Sequence, residues 1–142
     1  MEKRIIKFRG KCLKTEEWVY GGYYDRCYND KGEIYENGWH DVHIVTNSSW
    51  YEWAYKRLVI TETVGQFTGL RDCNGVEIYE GDIIAGSNGS INGYECPFKM
   101  EIRWSEELHG FNLPSFGSDH SKTHYYNVIG NIHDNPDLLT KK

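Results

Sequence analysis

Apolar and polar positions alternate at the start of the chain: Ile6 and Phe8 fall on one side of an extended segment, and Ile5, Lys7 and Arg9 on the other. This period of two predicts a strand with one buried face, ended by Gly10. Thr15-Glu16-Glu17 reads as a connecting turn, and Trp18, Val19 and Tyr20 begin a second extended stretch before Gly21-Gly22. An N-terminal hairpin is therefore expected. Asn29-Asp30-Lys31-Gly32 is a turn signal flanked by Tyr28 and Tyr35, because Asn, Asp and Gly tolerate the positive φ of tight turns. Val42, Ile44 and Val45 predict a further strand.

Residues 47–60 fit either of two elements. Ser49 with Glu52 forms a possible capping box, and Trp50, Trp53 and Ala54 would share a helical face. The run from Trp53 to Ile60 is rich in aromatic and β-branched residues, and its Leu58/Ile60 alternation suits a strand.

The second half is punctuated by turns. Asp72-Cys73-Asn74-Gly75, between Phe67/Leu70 and Val76/Ile78, predicts a hairpin with Asn-Gly at its tip. Glu80-Gly81-Asp82 leads into the apolar run Ile83-Ile84-Ala85. Residues 86–93 read as a polar, Gly-rich loop, and Met100, Ile102 and Trp104 resume the alternation. Phe111 and Leu113 continue it, residues 115–123 read as a second polar loop, and Tyr126, Val128 and Ile129 mark a last strand. Asn135-Pro136-Asp137 is a helix-start signal, after which Leu138 and Leu139 would dock on a barrel. The pattern predicts an all-β, or mostly β, fold with one or two short helical turns. With no repeat or low-complexity tract, residues 1–142 are expected to form a single domain, with subdomains at 1–62 and 63–142.

Composition sharpens this in one respect. Aromatic residues are 15% of the chain, with 11 Tyr and 5 Trp, and their polar tips need partners when buried. Many are therefore expected at the margin of the core or in a subunit contact, which points to a homo-oligomer. A formal charge of −5 with scattered Lys and Arg argues against a broad nucleic-acid surface. No apolar window reaches the roughly 18 residues of a membrane span, and Met1-Glu2-Lys3-Arg4 leads into a strand pattern without a signal-peptide core. A cytoplasmic protein is expected. Cys12, Cys27, Cys73 and Cys96 lack Cys-x-x-Cys spacing and are expected as reduced thiols, without zinc.

Several segments resemble the YopX family of phage and prophage proteins. They are Ile6-Lys7-Phe8-Arg9-Gly10-Lys11 with Trp18-Val19-Tyr20-Gly21, then Thr63-Val64-Gly65-Gln66-Phe67-Thr68-Gly69-Leu70 with Asp72 and Asn74-Gly75, then Ile78-Tyr79-Glu80-Gly81-Asp82-Ile83. The last is Ile129-Gly130-Asn131-Ile132 with Asn135-Pro136 and Leu138-Leu139. The resemblance implies a largely β architecture, an SH3-like small barrel in the C-terminal half, self-association in a bacterial host, and no assigned activity.

The candidate chemistry is sparse. A carboxylate of Glu80-Gly81-Asp82 on a tight turn is expected to accept backbone hydrogen bonds as the chain enters the sheet, the rival being a site in which Asp72, Glu80 and Asp82 hold a hard cation. His40 and His43 would face opposite ways in a strand, and His120 and His124 lie in a loop pattern. No nucleophile elbow and no phosphate-cradling loop is present, so no catalytic residue, metal or cofactor is assigned. Trp50, Tyr51, Trp53, Tyr55, Lys56 and Arg57 are the candidate contact patch: rings to stack on unpaired bases with two cations for phosphates, or rings packed in a core or a subunit contact. The expected function is a non-enzymatic, homo-oligomeric protein-interaction module. The alternative is a single-stranded nucleic-acid-binding β module.

Overall fold

The computed structural model describes residues 3–25, 42–45, 56–91, 93–114 and 126–140. The chain divides into two compact units, Met1–Gln66 and Phe67–Lys142. The expected turn at residues 29–32 and the polar loop at 115–123 lie outside the described residues.

In the first unit, β1 (Phe8–Lys11), β2 (Trp18–Asp25), β3 (Val42–Val45), β4 (Lys56–Leu58) and the start of β5 (Gly65–Arg71) pair antiparallel in the order β4-β3-β2-β1-β5. The expected N-terminal hairpin is the β1–β2 pair, and its turn is closed by the Cys12 and Glu16 backbone amides, which donate to the Glu17 and Cys12 carbonyls. Ile44 and Val59 are buried with Phe8, Val19 and Val64 packed on them. Two expectations about the opening strand change. It starts at Phe8, leaving Ile5 and Ile6 at 62% and 64% exposure, because pairing with β2 begins only at Phe8. Gly10 does not end it but pairs with Val19, and a Cβ there would lie 3.1 Å from the Val59 side chain. The glycine admits a neighbour close to the strand. Of the ambiguous stretch, residues 56–58 are strand, and Val59 bridges to Cys12.

After β4, a 3-10 turn at Thr61–Thr63 redirects the chain into β5. Thr63 holds the bend: its hydroxyl donates to the Ile60 carbonyl at 2.6 Å and accepts the Lys11 backbone amide at 2.8 Å.

In the second unit, the rest of β5 forms the expected hairpin with β6 (Glu77–Tyr79). The Asp72 amide donates to the Val76 carbonyl, so the connection is wider than a two-residue loop. A bulge between Phe67 and Arg71 is bridged by Thr68, whose hydroxyl donates to the Ile78 carbonyl and accepts the Leu70 amide. β7 (Asp82–Ile91) is central to a second antiparallel sheet, between β8 (Tyr94–Glu101) and β11 (Tyr126–Asn131). β9 (Trp104–Ser105) and β10 (Gly110–Phe111) make a small hairpin. Ile78, Ile84, Ile102 and Tyr126 are buried together, with Phe98, Met100 and Val128 among the side chains around them.

Residues 86–91 are strand rather than the expected loop: Ser87 pairs with Pro97, and Ser90 with Glu95, across a bulge. Ladder pairing overrides the weak β propensity of Gly, Ser and Asn. Among the described residues the sheets are not closed into a barrel. Gly81 adopts φ +87°, and beyond it Asp82 enters β7 with its Oδ2 accepting the Tyr79 amide at 2.7 Å. This is the strand-entry role expected of Glu80-Gly81-Asp82. The C-terminal helix α1 (Asp137–Thr140) follows the expected Asn-Pro start, but the Asn135 side chain faces back to the Asn131 amide instead of capping it. Leu138 packs at Gly130, whereas Leu139 is exposed.

Candidate functional site

The β1–β2 register sets Lys11 opposite Trp18 and Arg9 opposite Tyr20. Residues directly opposite in an antiparallel ladder share a face, so these four side chains lie together, while Phe8 and Val19 take the other face and join the core. The Arg9 guanidinium lies 4.6 Å from the centre of the Trp18 ring, and the Lys11 ammonium lies 5.7 Å from it. Both distances fall within the range over which a ring quadrupole attracts a cation. Arg9 is buried, and Tyr20 stands beside it 47% exposed. The result is an indole within reach of two cations, with a partly exposed phenol ring beside them. It can engage planar, apolar or anionic groups, and it contains no nucleophile paired with a base.

Of the sequence-derived patch, Trp50, Tyr51, Trp53 and Tyr55 lie outside the described residues. Lys56 and Arg57 occupy successive positions of β4, opposite Val45 and Ile44, and Arg57 is exposed. The structure thus groups different cations and rings from those the sequence singled out. The signal was present in Arg9/Lys11 and Trp18/Tyr20, two alternating pairs on either side of a turn. Ending the first strand at Gly10 removed Lys11 from it.

Two of the three carboxylates considered for a cation, Asp72 and Asp82, serve backbone amides. Asp72 Oδ1 accepts from Asn74 and Val76 at 2.8 and 2.9 Å, and its Oδ2 accepts from Val128 at 2.9 Å. Asp82 serves the separate turn at Tyr79. Among the described residues no group of three His, Cys, Asp or Glu is placed to hold a metal. His43 lies in β3, and His40, His120 and His124 fall outside the described residues.

Cys12 and Tyr126 titrate away from their ordinary ranges. Hydrogen bonds from the Thr15 hydroxyl and from the Thr15 and Lys14 backbone favour the Cys12 thiolate and lower its pKa. Burial, and then the negative charge of Asp72, raise that of Tyr126. Cys12, Cys73 and Cys96 are free thiols. Among the described residues no helix is long and apolar enough to cross a membrane.

Comparison with curated proteins gives no match. Among solved structures, the crystal structure of protein EF1440 from Enterococcus faecalis is similar at 26% sequence identity and a TM-score of 0.52, over 96% of this chain and 99% of that one. The likeness therefore extends over both units. The model of the YopX protein family matches residues 7–140, and the chain belongs to the YopX family.

Proposed function

We propose that this protein is a phage- or prophage-encoded accessory protein of the bacterial cytoplasm, working without catalysis as a homo-oligomeric protein-interaction module. The observation that carries this is the Arg9, Lys11, Trp18 and Tyr20 face of β1 and β2. Trp, Tyr and Arg are the residue types that anchor protein interfaces, and a ring fixed by cations loses little freedom on contact. Light scattering on the purified protein at micromolar concentration tests it: an assembly larger than one chain is expected, weakened by Tyr20→Ala, and a clean monomer overturns it. In the same proposal the second unit is an opened version of a small SH3-like barrel.

The pairing of cations with rings also favours a second reading, a single-stranded nucleic-acid binder whose exposed Tyr20 would stack on a base beside Lys11. The sequence-derived patch of Trp50, Tyr51, Trp53, Tyr55, Lys56 and Arg57 belongs to this second reading. The chain's charge of −5 weighs against it. Failure to shift labelled DNA and RNA oligonucleotides at low salt removes it.

A further inference from the structure

Gly22 lies within β2 without either of the usual reasons for a glycine in a strand. Its φ is outside the positive range adopted by Gly81, and a Cβ built on it would meet no atom within 4 Å, unlike the one at Gly10. A strand glycine gives up side-chain packing, and where its own chain does not require it, it marks a close approach to the backbone by another molecule. The alternation of β2 sets Gly22 on the face of Trp18 and Tyr20, and its ladder partner is Val45. The exposed backbone at Gly22 is thus a notch bordered by Tyr20 and Val45, on the face that carries Arg9 and Lys11.

We propose that this notch receives Leu108 from the β9–β10 hairpin of a second copy of the chain, joining copies head to tail. This contact rests on the self-association of the β1–β2 face proposed above and gives that face its occupant. Charge decides which surface that is. Residues 3–14 hold Lys3, Arg4, Lys7, Arg9, Lys11 and Lys14 and no Asp or Glu, although the whole chain carries −5. Residues 104–111 hold Glu106 and Glu107 and no Lys or Arg, and both glutamates are exposed. Apolar anchors stand beside them, with Leu108 63% exposed and Trp104 50%. The turn is pre-formed: the Leu108 amide donates to Ser105 Oγ and the His109 amide to the Glu106 carbonyl, so little freedom is lost on docking. Opposite charges bring the two surfaces together, and an exposed aliphatic side chain meets bare backbone.

Gly22→Val separates this role from a structural one. The space around the added Cβ is open and valine suits a strand better than glycine, so by urea denaturation the variant should be at least as stable as wild type. It fills the notch, and the dissociation constant for self-association, read by sedimentation, should rise roughly tenfold or more. Glu106→Lys combined with Glu107→Lys should weaken assembly likewise, by setting like charges against Lys11 and its neighbours. Mixed at a concentration where each is monomeric alone, the two variants should form a two-chain species, because the intact hairpin of the first docks on the intact face of the second. A mixture that stays monomeric overturns the proposal, as does a Gly22→Val chain that folds less stably than wild type. Wild type that is itself monomeric sinks the self-association of the β1–β2 face together with this contact, whereas a wild-type assembly that Gly22→Val leaves unchanged removes this contact alone.

Discussion

Thr63→Val keeps the shape of a buried side chain and removes only its hydroxyl. That hydroxyl is the acceptor for the Lys11 amide at 2.8 Å and a donor to the Ile60 carbonyl at 2.6 Å. The two losses are unequal. The Ile60 carbonyl keeps the Thr63 backbone amide at 2.9 Å, so losing the hydroxyl there costs about 0.5–1 kcal/mol. The Lys11 amide loses its acceptor, which costs about 1–3 kcal/mol where water cannot replace it. Together these give roughly 1.5–4 kcal/mol, a tenfold or larger fall in the folded-to-unfolded ratio. Thr63→Ser retains both hydrogen bonds and loses a methyl group worth about 0.8 kcal/mol. Urea denaturation followed by circular dichroism, with amide exchange at Lys11 as a local probe of the first unit, measures both variants. The ordering is the test, since a hydrophobic account of Thr63 predicts the reverse. If Thr63→Val is no less stable than Thr63→Ser, the threonine is a packing residue and the hydrogen-bond reasoning fails.

Asp82→Ala removes the acceptor of the Tyr79 amide at the entry to β7 and should destabilise the second unit by at least about 2 kcal/mol in the same denaturation assay. Gly130→Ala would place a Cβ 2.6 Å from Asn135 Oδ1 and 2.7 Å from Leu138 Cδ1. Both atoms are side-chain ends that can give way, so a loss of about 1–3 kcal/mol is expected, with resonance shifts concentrated in α1. Tyr126 gives a pH dependence of definite sign. Its folded pKa lies above the ordinary 10.0, so its contribution to stability is complete below that pH and is lost as pH rises through the folded value. Denaturation at a series of alkaline pH values should show a decline that is shallower in Tyr126→Phe, and equal slopes would count against it.

Strand positions were legible wherever alternation and turn chemistry agreed. The Asp72 to Gly75 turn and Glu80-Gly81-Asp82 carry their conformations in their residue types, and β3, β7 and β11 carry theirs in apolar runs. Misreadings occurred where a partner distant in sequence decided the local structure. Gly10 looks like a terminator until Val59 is seen against it, and residues 86–91 look like a loop until β8 supplies the ladder. The Arg9, Lys11, Trp18 and Tyr20 face required the β1–β2 register, and a slip of one residue would have sent each of these side chains to the core face.

The segments that place this chain in its family divide by what their side chains do. Thr63, Thr68, Asp72, Asp82, Asn131 and Asn135 each close a turn, bulge or strand entry through at least one backbone group. Replacing any of them leaves a backbone donor or acceptor to be satisfied in another way, so their chemistry is explained by the fold. The N-terminal segments are different. The β1–β2 ladder is made by backbone groups, and neither Trp18 nor Tyr20 is needed to close it; many residue types would form these strands equally well. An indole held between two cations beside an exposed phenol is more than a strand requires. Those four side chains are the ground on which contact with a partner is proposed.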